Sequence, residues 1–183
     1  MASVGLSRRQ LIQSAGKVFL LYTVWPLTRA EASLTCATPD WRFCKNCHAM
    51  FYRGGTSVCT DGKPHVAQGY NFVLPCNQPE TPTAQRKWGR CKYCAALFYN
   101  GYRSKGRCPA SDAGHEADRV DYVLPHDVSG TPTAQTEWRF CNKCNEMFYD
   151  GYSPKGRCPG GGEHVAQGYG FVLPHTRPPR DVM

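Results

Sequence analysis

The chain has 183 residues, with 22 Lys plus Arg against 14 Asp plus Glu, a formal net charge of +8 and 41% hydrophobic residues. Aromatics at 12%, 18 Gly and 14 Pro exclude a highly charged, aromatic-poor disordered chain and argue against a long helical bundle. No apolar run reaches the roughly 18 residues of a membrane-spanning helix, whereas 11 cysteines, an odd number at regular spacing, stand out.

Residues 1–32 read as a cleavable leader. A basic pair, Arg8-Arg9, precedes a modest apolar run from Val18 to Leu27, and Ala30-Glu31-Ala32 supplies a small-x-small cleavage site. Ser7-Arg8-Arg9-Gln10-Leu11-Ile12 resembles the bacterial twin-arginine export signal. That resemblance implies a periplasmic or extracellular destination for a protein exported already folded. Its cysteines would then meet metal in a reducing cytoplasm before any oxidising compartment. An ordinary secretory leader with an incidental Arg pair is the competing reading. Arg8, Arg9, Lys17 and Arg29 leave with the leader against only Glu31, so the net charge falls from +8 to +5.

After a lead at 33–40, one unit recurs three times: repeat 1 at 41–76, repeat 2 at 88–126 and repeat 3 at 138–175. The linkers 77–87 and 127–137 match as well, through Thr81-Pro82-Thr83-Ala84-Gln85 and Thr131-Pro132-Thr133-Ala134-Gln135, and a tail follows at 176–183. Each copy predicts a short strand at the Trp that opens it (Trp41, Trp88, Trp138). A Cys-x-x-Cys turn comes next, then a second strand ending in Phe-Tyr and a Gly-rich loop. A last strand is led by Tyr70, Tyr122 or Tyr169 and stopped by Pro75, Pro125 or Pro174. No stretch keeps a helical period. The fold class is mostly β: three small metal-stapled hairpin or ribbon repeats, either separate or packed with pseudo-threefold symmetry. Units below about 40 residues need a staple to fold.

Nine cysteines fall in register: Cys44, Cys47, Cys59; Cys91, Cys94, Cys108; Cys141, Cys144, Cys158. His65, His115 and His164 follow the third cysteine of each set. The Cys-x-x-Cys turn aims two sulfurs at one ion, and a second arm adds a sulfur and an imidazole, a donor set that suits zinc. The expectation is three zinc ions per chain. Iron and disulfides are the other accounts, but three cysteines per unit cannot all pair within the unit. Cys76, His126 and His175 each follow Leu-Pro, eleven positions after the first histidine, and are alternative fourth ligands or groups that support the ligands from behind. Cys36 and Cys76 lie outside the threefold set and could instead form one disulfide.

The repeat resembles tandem Trp-x-x-Cys-x-x-Cys units of exported bacterial proteins, and its ligand spacing is similar to that of zinc ribbons and zinc knuckles. The resemblance brings no catalytic residue with it. The leading functional expectation is a non-catalytic binding or structural module, with carbohydrate or another cell-envelope polymer as partner. Tyr102 and Tyr152, in Gly-rich loops, are the candidate exposed ligand-binding rings. The Trp residues and the first Phe of each Phe-Tyr pair are candidate core. A nucleic-acid-binding zinc ribbon is the second reading, prompted by Arg42, Arg90 and Arg139. Three Cys3His zinc sites, at one net negative charge each, would lower +5 to about +2 and weaken it. A metal-dependent enzyme using an open site at His126 and His175 is the third. His48, with Ala95 and Asn145 in the other copies, reads as a surface residue.

Overall fold

Nine strands and no helix form the fold in a computed structural model that describes residues 36–176. The leader and most of the tail lie outside these residues. Among the described residues no helix is long and apolar enough to cross a membrane.

The three repeats each give three strands. Repeat 1 forms β1 (Cys36–Cys44), β2 (Met50–Tyr52) and β3 (Ala67–Cys76). Repeat 2 forms β4 (Ala84–Arg90), β5 (Leu97–Tyr99) and β6 (Tyr122–Pro125). Repeat 3 forms β7 (Ala134–Cys141), β8 (Met147–Tyr149) and β9 (Ala166–Thr176). In each, the first strand pairs antiparallel with both others: Trp41 lies opposite Tyr52 and Phe72, Trp88 opposite Tyr99 and Tyr122, and Trp138 opposite Tyr149 and Phe171.

Two boundaries differ from the sequence reading. The first strands begin upstream of the Trp, inside the lead and the segments read as linkers, because a bulge at Asp40, Lys87 and Glu137 (φ 68, 68 and 66°) lets the ladder continue past an irregular residue. The prolines do not stop the last strands of repeats 1 and 3, which run on to Cys76 and Thr176, whereas β6 ends at Pro125. Pro75, Pro125 and Pro174 lie opposite Ala37, Ala84 and Ala134. The register also places Tyr122 with Phe72 and Phe171 in the interior, while Val120 takes the place of Tyr70 and Tyr169.

The repeats close on one another in a cycle with pseudo-threefold symmetry, not as separate beads. The backbone N–H of Tyr52 donates to Ala95 O, that of Tyr99 to Asn145 O and that of Tyr149 to His48 O, at 3.0, 2.9 and 3.0 Å. The last strands meet around the same axis: Cys76 opposite Tyr122, His126 opposite Phe171, and His175 opposite Phe72. One shared core results, stacked in threes: Trp41, Trp88 and Trp138; Met50, Leu97 and Met147; Leu74, Leu124 and Leu173. Each repeat is too small to bury these side chains alone, so the hydrophobic stabilisation belongs to the trio.

Candidate metal centres

Three four-residue clusters hang on the rim of this core: Cys44, Cys47, Cys59 and His65; Cys91, Cys94, Cys108 and His115; Cys141, Cys144, Cys158 and His164. The first two sulfurs of each come from the end of the first strand and the turn after it. That turn is closed by His48 N–H donating to Cys44 O, Ala95 N–H to Cys91 O and Asn145 N–H to Cys141 O. His48, Ala95 and Asn145 sit at φ 64–65°, which reverses the chain tightly enough for both sulfurs to face one point. The loop before the last strand supplies the third sulfur and the imidazole.

The spacing of the donor atoms tests whether an ion fits. Zinc at about 2.3 Å from sulfur and about 2.0 Å from nitrogen implies tetrahedron edges of about 3.8 Å between sulfurs and about 3.5 Å from sulfur to nitrogen. The Sγ–Sγ pairs Cys44–Cys59, Cys91–Cys108 and Cys141–Cys158 stand at 3.9, 3.8 and 3.8 Å. The Sγ–Nδ1 pairs Cys47–His65, Cys94–His115 and Cys144–His164 all stand at 3.5 Å. A disulfide needs about 2.05 Å, and none of these nine cysteines forms one. The donors fit three zinc ions per chain, each held through Nδ1 of its histidine.

The surroundings suit thiolates. Backbone N–H groups of Val165, Ala110 and Gly160 donate to the sulfurs of Cys141, Cys108 and Cys158. Within each cluster the leading thiol (Cys44, Cys91, Cys141) is driven strongly toward its thiolate by hydrogen bonds from the other two cysteines. Its partner in the turn (Cys47, Cys94, Cys144) is driven the opposite way by those same bonds and by burial. A divalent cation removes this conflict by taking all three as thiolates. Burial lowers the imidazole pKa values, but hydrogen bonds to the neighbouring sulfurs outweigh it and raise His65 to about 9 and His115 and His164 to about 10.

The histidines are fixed from behind. Each ring stacks on the Phe of the Phe-Tyr pair: Phe51 on His65 at 4.6 Å, Phe98 on His115 at 4.8 Å and Phe148 on His164 at 4.7 Å. The Nε2 atoms point into the protein. That of His164 meets Cys47 O at 3.0 Å, so the cluster of repeat 3 leans on that of repeat 1. That of His115 faces Glu146 Oε1 at 3.6 Å. Glu146, only 2% exposed, stands where the other repeats have Ala49 and Ala96. Burial raises its pKa, opposed by His115, His164 and His65.

The residues after Leu-Pro stand apart from the clusters. Cys76 is joined to Cys36 by a disulfide, with Cα atoms 5.0 Å apart. His126 and His175 are buried and stack on Tyr169 and Tyr70 at 3.8 and 3.7 Å. Among the described residues none of the three joins a donor set: the fourth donor of each cluster is His65, His115 or His164. His48 is half-buried against Phe43 and Tyr152 instead of lying free on the surface. Tyr102 and Tyr152 are 51% and 52% exposed, as expected of their loops. Arg90 occupies the position of Phe43 and Phe140, its guanidinium 4.7 Å over the Tyr52 ring and 2.8 Å from Asp118. The three arginines are therefore not one repeated patch.

Comparison with protein-family models, curated proteins and solved structures finds no match for the chain.

Proposed function

We propose that the protein is an exported, zinc-stapled module that binds a polymer of the cell envelope or extracellular space without catalysis. The observation that carries this reading is the closure of all three metal sites: each has four protein donors, three of them sulfur, in a buried cluster. A complete tetrahedral set leaves no position for substrate or an activated water, so the ions act by holding small units in shape. Apparent affinities of about 10–16 kcal/mol for such sites are enough to decide folding. Rigid, repeated surfaces with exposed tyrosines then suit recognition of a repeating ligand.

The leader carries the export part of the reading. Residues 1–32 fused to a folded reporter should deliver it out of a bacterial cytoplasm, and Arg8→Lys with Arg9→Lys should stop delivery. Binding is tested by co-sedimentation of the zinc-loaded protein with insoluble peptidoglycan, chitin and cellulose, beside retention on DNA-cellulose at rising salt. Retention on one of the polymers that persists at high salt is expected. Retention on DNA alone, lost as salt rises, would favour the nucleic-acid reading, and retention on none would sink the module.

A further inference from the structure

The cyclic packing creates three inter-repeat seams, and two of them are built alike. Between repeats 1 and 3, Phe43, Gln68 and Tyr70 face Gln135, Tyr149 and Tyr152 across a cleft of about 140 Å³. Between repeats 3 and 2, Phe140, Gln167 and Tyr169 face Gln85, Tyr99 and Tyr102 across a cleft of about 230 Å³. These are the same positions in both, by strand register.

Their walls are braced in the same way. The buried indole N–H of Trp138 donates to Gln135 Oε1 and that of Trp88 to Gln85 Oε1, each at 3.1 Å. An indole is a donor only, so the glutamine oxygen must face it and the amide NH2 is left for the cleft. Arg42 and Arg139 donate to the carbonyls of Gly69 and Gly168, at 3.1 and 2.9 Å, and hold the strand bulge that carries Gln68 and Gln167. Tyr152 and Tyr102 stand edge-on to Phe43 and Phe140 at 5.9 and 5.8 Å.

The third seam, between repeats 2 and 1, keeps only Tyr52 of this set. Thr38 stands for the glutamine of the first strand, Gly89 for the bracing arginine and Arg90 for the phenylalanine. Asp118 stands for the second glutamine, Val120 for the tyrosine and Gly55 for the loop tyrosine. Arg90 there pairs with Asp118 and lies over the Tyr52 ring. Trp41 Nε1, without its glutamine, has no partner. The substitutions follow the seam and not the repeat. Repeat 1 keeps the half that faces repeat 3 and has lost the half that faces repeat 2; repeat 2 shows the reverse. Folding does not require the motif, since the third seam closes without it. A shared demand on whole clefts explains the pattern.

We infer that these two clefts are equivalent binding sites for neutral sugar residues. The inference rests on the module reading above and names its ligand class. No charged side chain lines either cleft, which disfavours phosphate or ammonium ligands. Aromatic faces with amide donors and acceptors suit a pyranose, apolar on its C–H face and hydroxylated at its edge. The volumes fall below the roughly 300–1,000 Å³ of pockets for drug-sized ligands and fit about one ring each. The first cleft continues past Tyr70 and Gln135 toward Thr131, Pro132 and His175, a path for further residues of a chain. Two sites on one rigid body give avidity toward a polysaccharide.

Isothermal titration of the zinc-loaded protein with neutral tetrasaccharides of glucose, N-acetylglucosamine, mannose or galactose tests the inference, with a thymidine oligonucleotide as charged comparison. At least one saccharide should bind at two sites per chain, with no loss of affinity from low to high salt. Tyr102→Ala and Tyr152→Ala should each remove one site, and the double variant both, while native mass spectrometry still finds three zinc ions in each. No saccharide binding at millimolar concentration overturns the assignment, as does saccharide binding unchanged in the double variant. Binding of the oligonucleotide alone, abolished by the same variants, overturns the sugar class. If the double variant still sediments with an envelope polymer as the parent does, the clefts are excluded and the module reading stands; if the parent binds no polymer, that reading fails first.

Discussion

Glu146 sits on the axis where three imidazoles converge, and it is the only carboxylate among the described residues buried there. With His115 bound to metal through Nδ1, its Nε2 carries a proton and Glu146 is the acceptor at hand. Loss of such a partner costs about 10–100-fold in metal affinity. Glu146→Ala should therefore weaken the zinc held by His115, and native mass spectrometry during a chelator titration should reveal a two-zinc species absent from the parent. His175→Ala, by contrast, should retain three ions, whereas His65→Ala should retain two. The ligands were legible in the sequence because the same residues recur in register three times, which makes chance spacing a poor account. Glu146 was not, because Ala49 and Ala96 replace it in the other copies, and only the closed ring shows that one residue serves a shared axis. Tyr122 was matched to Tyr70 and Tyr169 by residue type, but it stands at the position of Phe72 and Phe171, two residues further on, an offset that the alternation of a strand cannot reveal.

At the level of elements, loops interlock one repeat with the next. Gly106 and Gly156, at φ 68 and 75°, lie so close to the Cys-x-x-Cys turns of the following repeats that a Cβ would fall 2.1 Å from Cys144 O and 2.4 Å from Cys47 O. Repeat 1 reaches its neighbour differently, with Val58 N–H donating to Cys94 O at 3.3 Å. Gly156→Ala combines a left-handed backbone with a backbone clash and should lower stability by at least about 2 kcal/mol, visible as a lower melting temperature. The Cys36–Cys76 disulfide closes a loop spanning 40 residues of sequence separation, for which chain entropy alone gives about 4 kcal/mol. Cys36→Ala with Cys76→Ala should lower unfolding free energy by up to that amount without loss of zinc, as read by denaturant titration and mass spectrometry. Strand identity was legible from the short apolar runs between turn residues. The early start of the first strands was not, since Thr-Pro-Thr-Ala-Gln has the composition of a linker and joins the ladder only through pairing with a distant strand.

For the molecule as a whole, core and metal sites depend on each other. The shared core packs one layer of three Trp, two aliphatic layers and the last strands together, while each cluster fixes the ends of the strands that carry them. Chelation should therefore abolish one cooperative melt rather than three separate ones. Acid should do the same. Zinc requires neutral imidazole and thiolate, and the metal-free histidines hold their protons up to about 9 or 10. In the metal-free fold those raised values favour the native state below the unfolded histidine pKa and the benefit is lost as pH rises through about 9 to 10. With zinc present the dependence reverses: binding expels protons, so affinity and stability climb from acid toward that range. Zinc release measured by a chromogenic chelator across pH, alongside melting, checks both signs. The threefold organisation was legible from self-comparison of the chain, but the ring was not, because the bonds that close it join backbone groups, and the accepting residues Ala95, Asn145 and His48 share no side-chain character.

The disulfide also marks where the ring differs from a perfect one. The opening strands of repeats 2 and 3 are preceded by chain that accepts a hydrogen bond from the residue after Leu-Pro, His126 to Thr83 O and His175 to Thr133 O at 2.9 and 2.8 Å. The opening strand of repeat 1 is pinned at that same place by sulfur. One sector of the circle thus carries a covalent tie within its own outer pair of strands, made where the surroundings oxidise thiols and left to the ladder alone where they stay reduced.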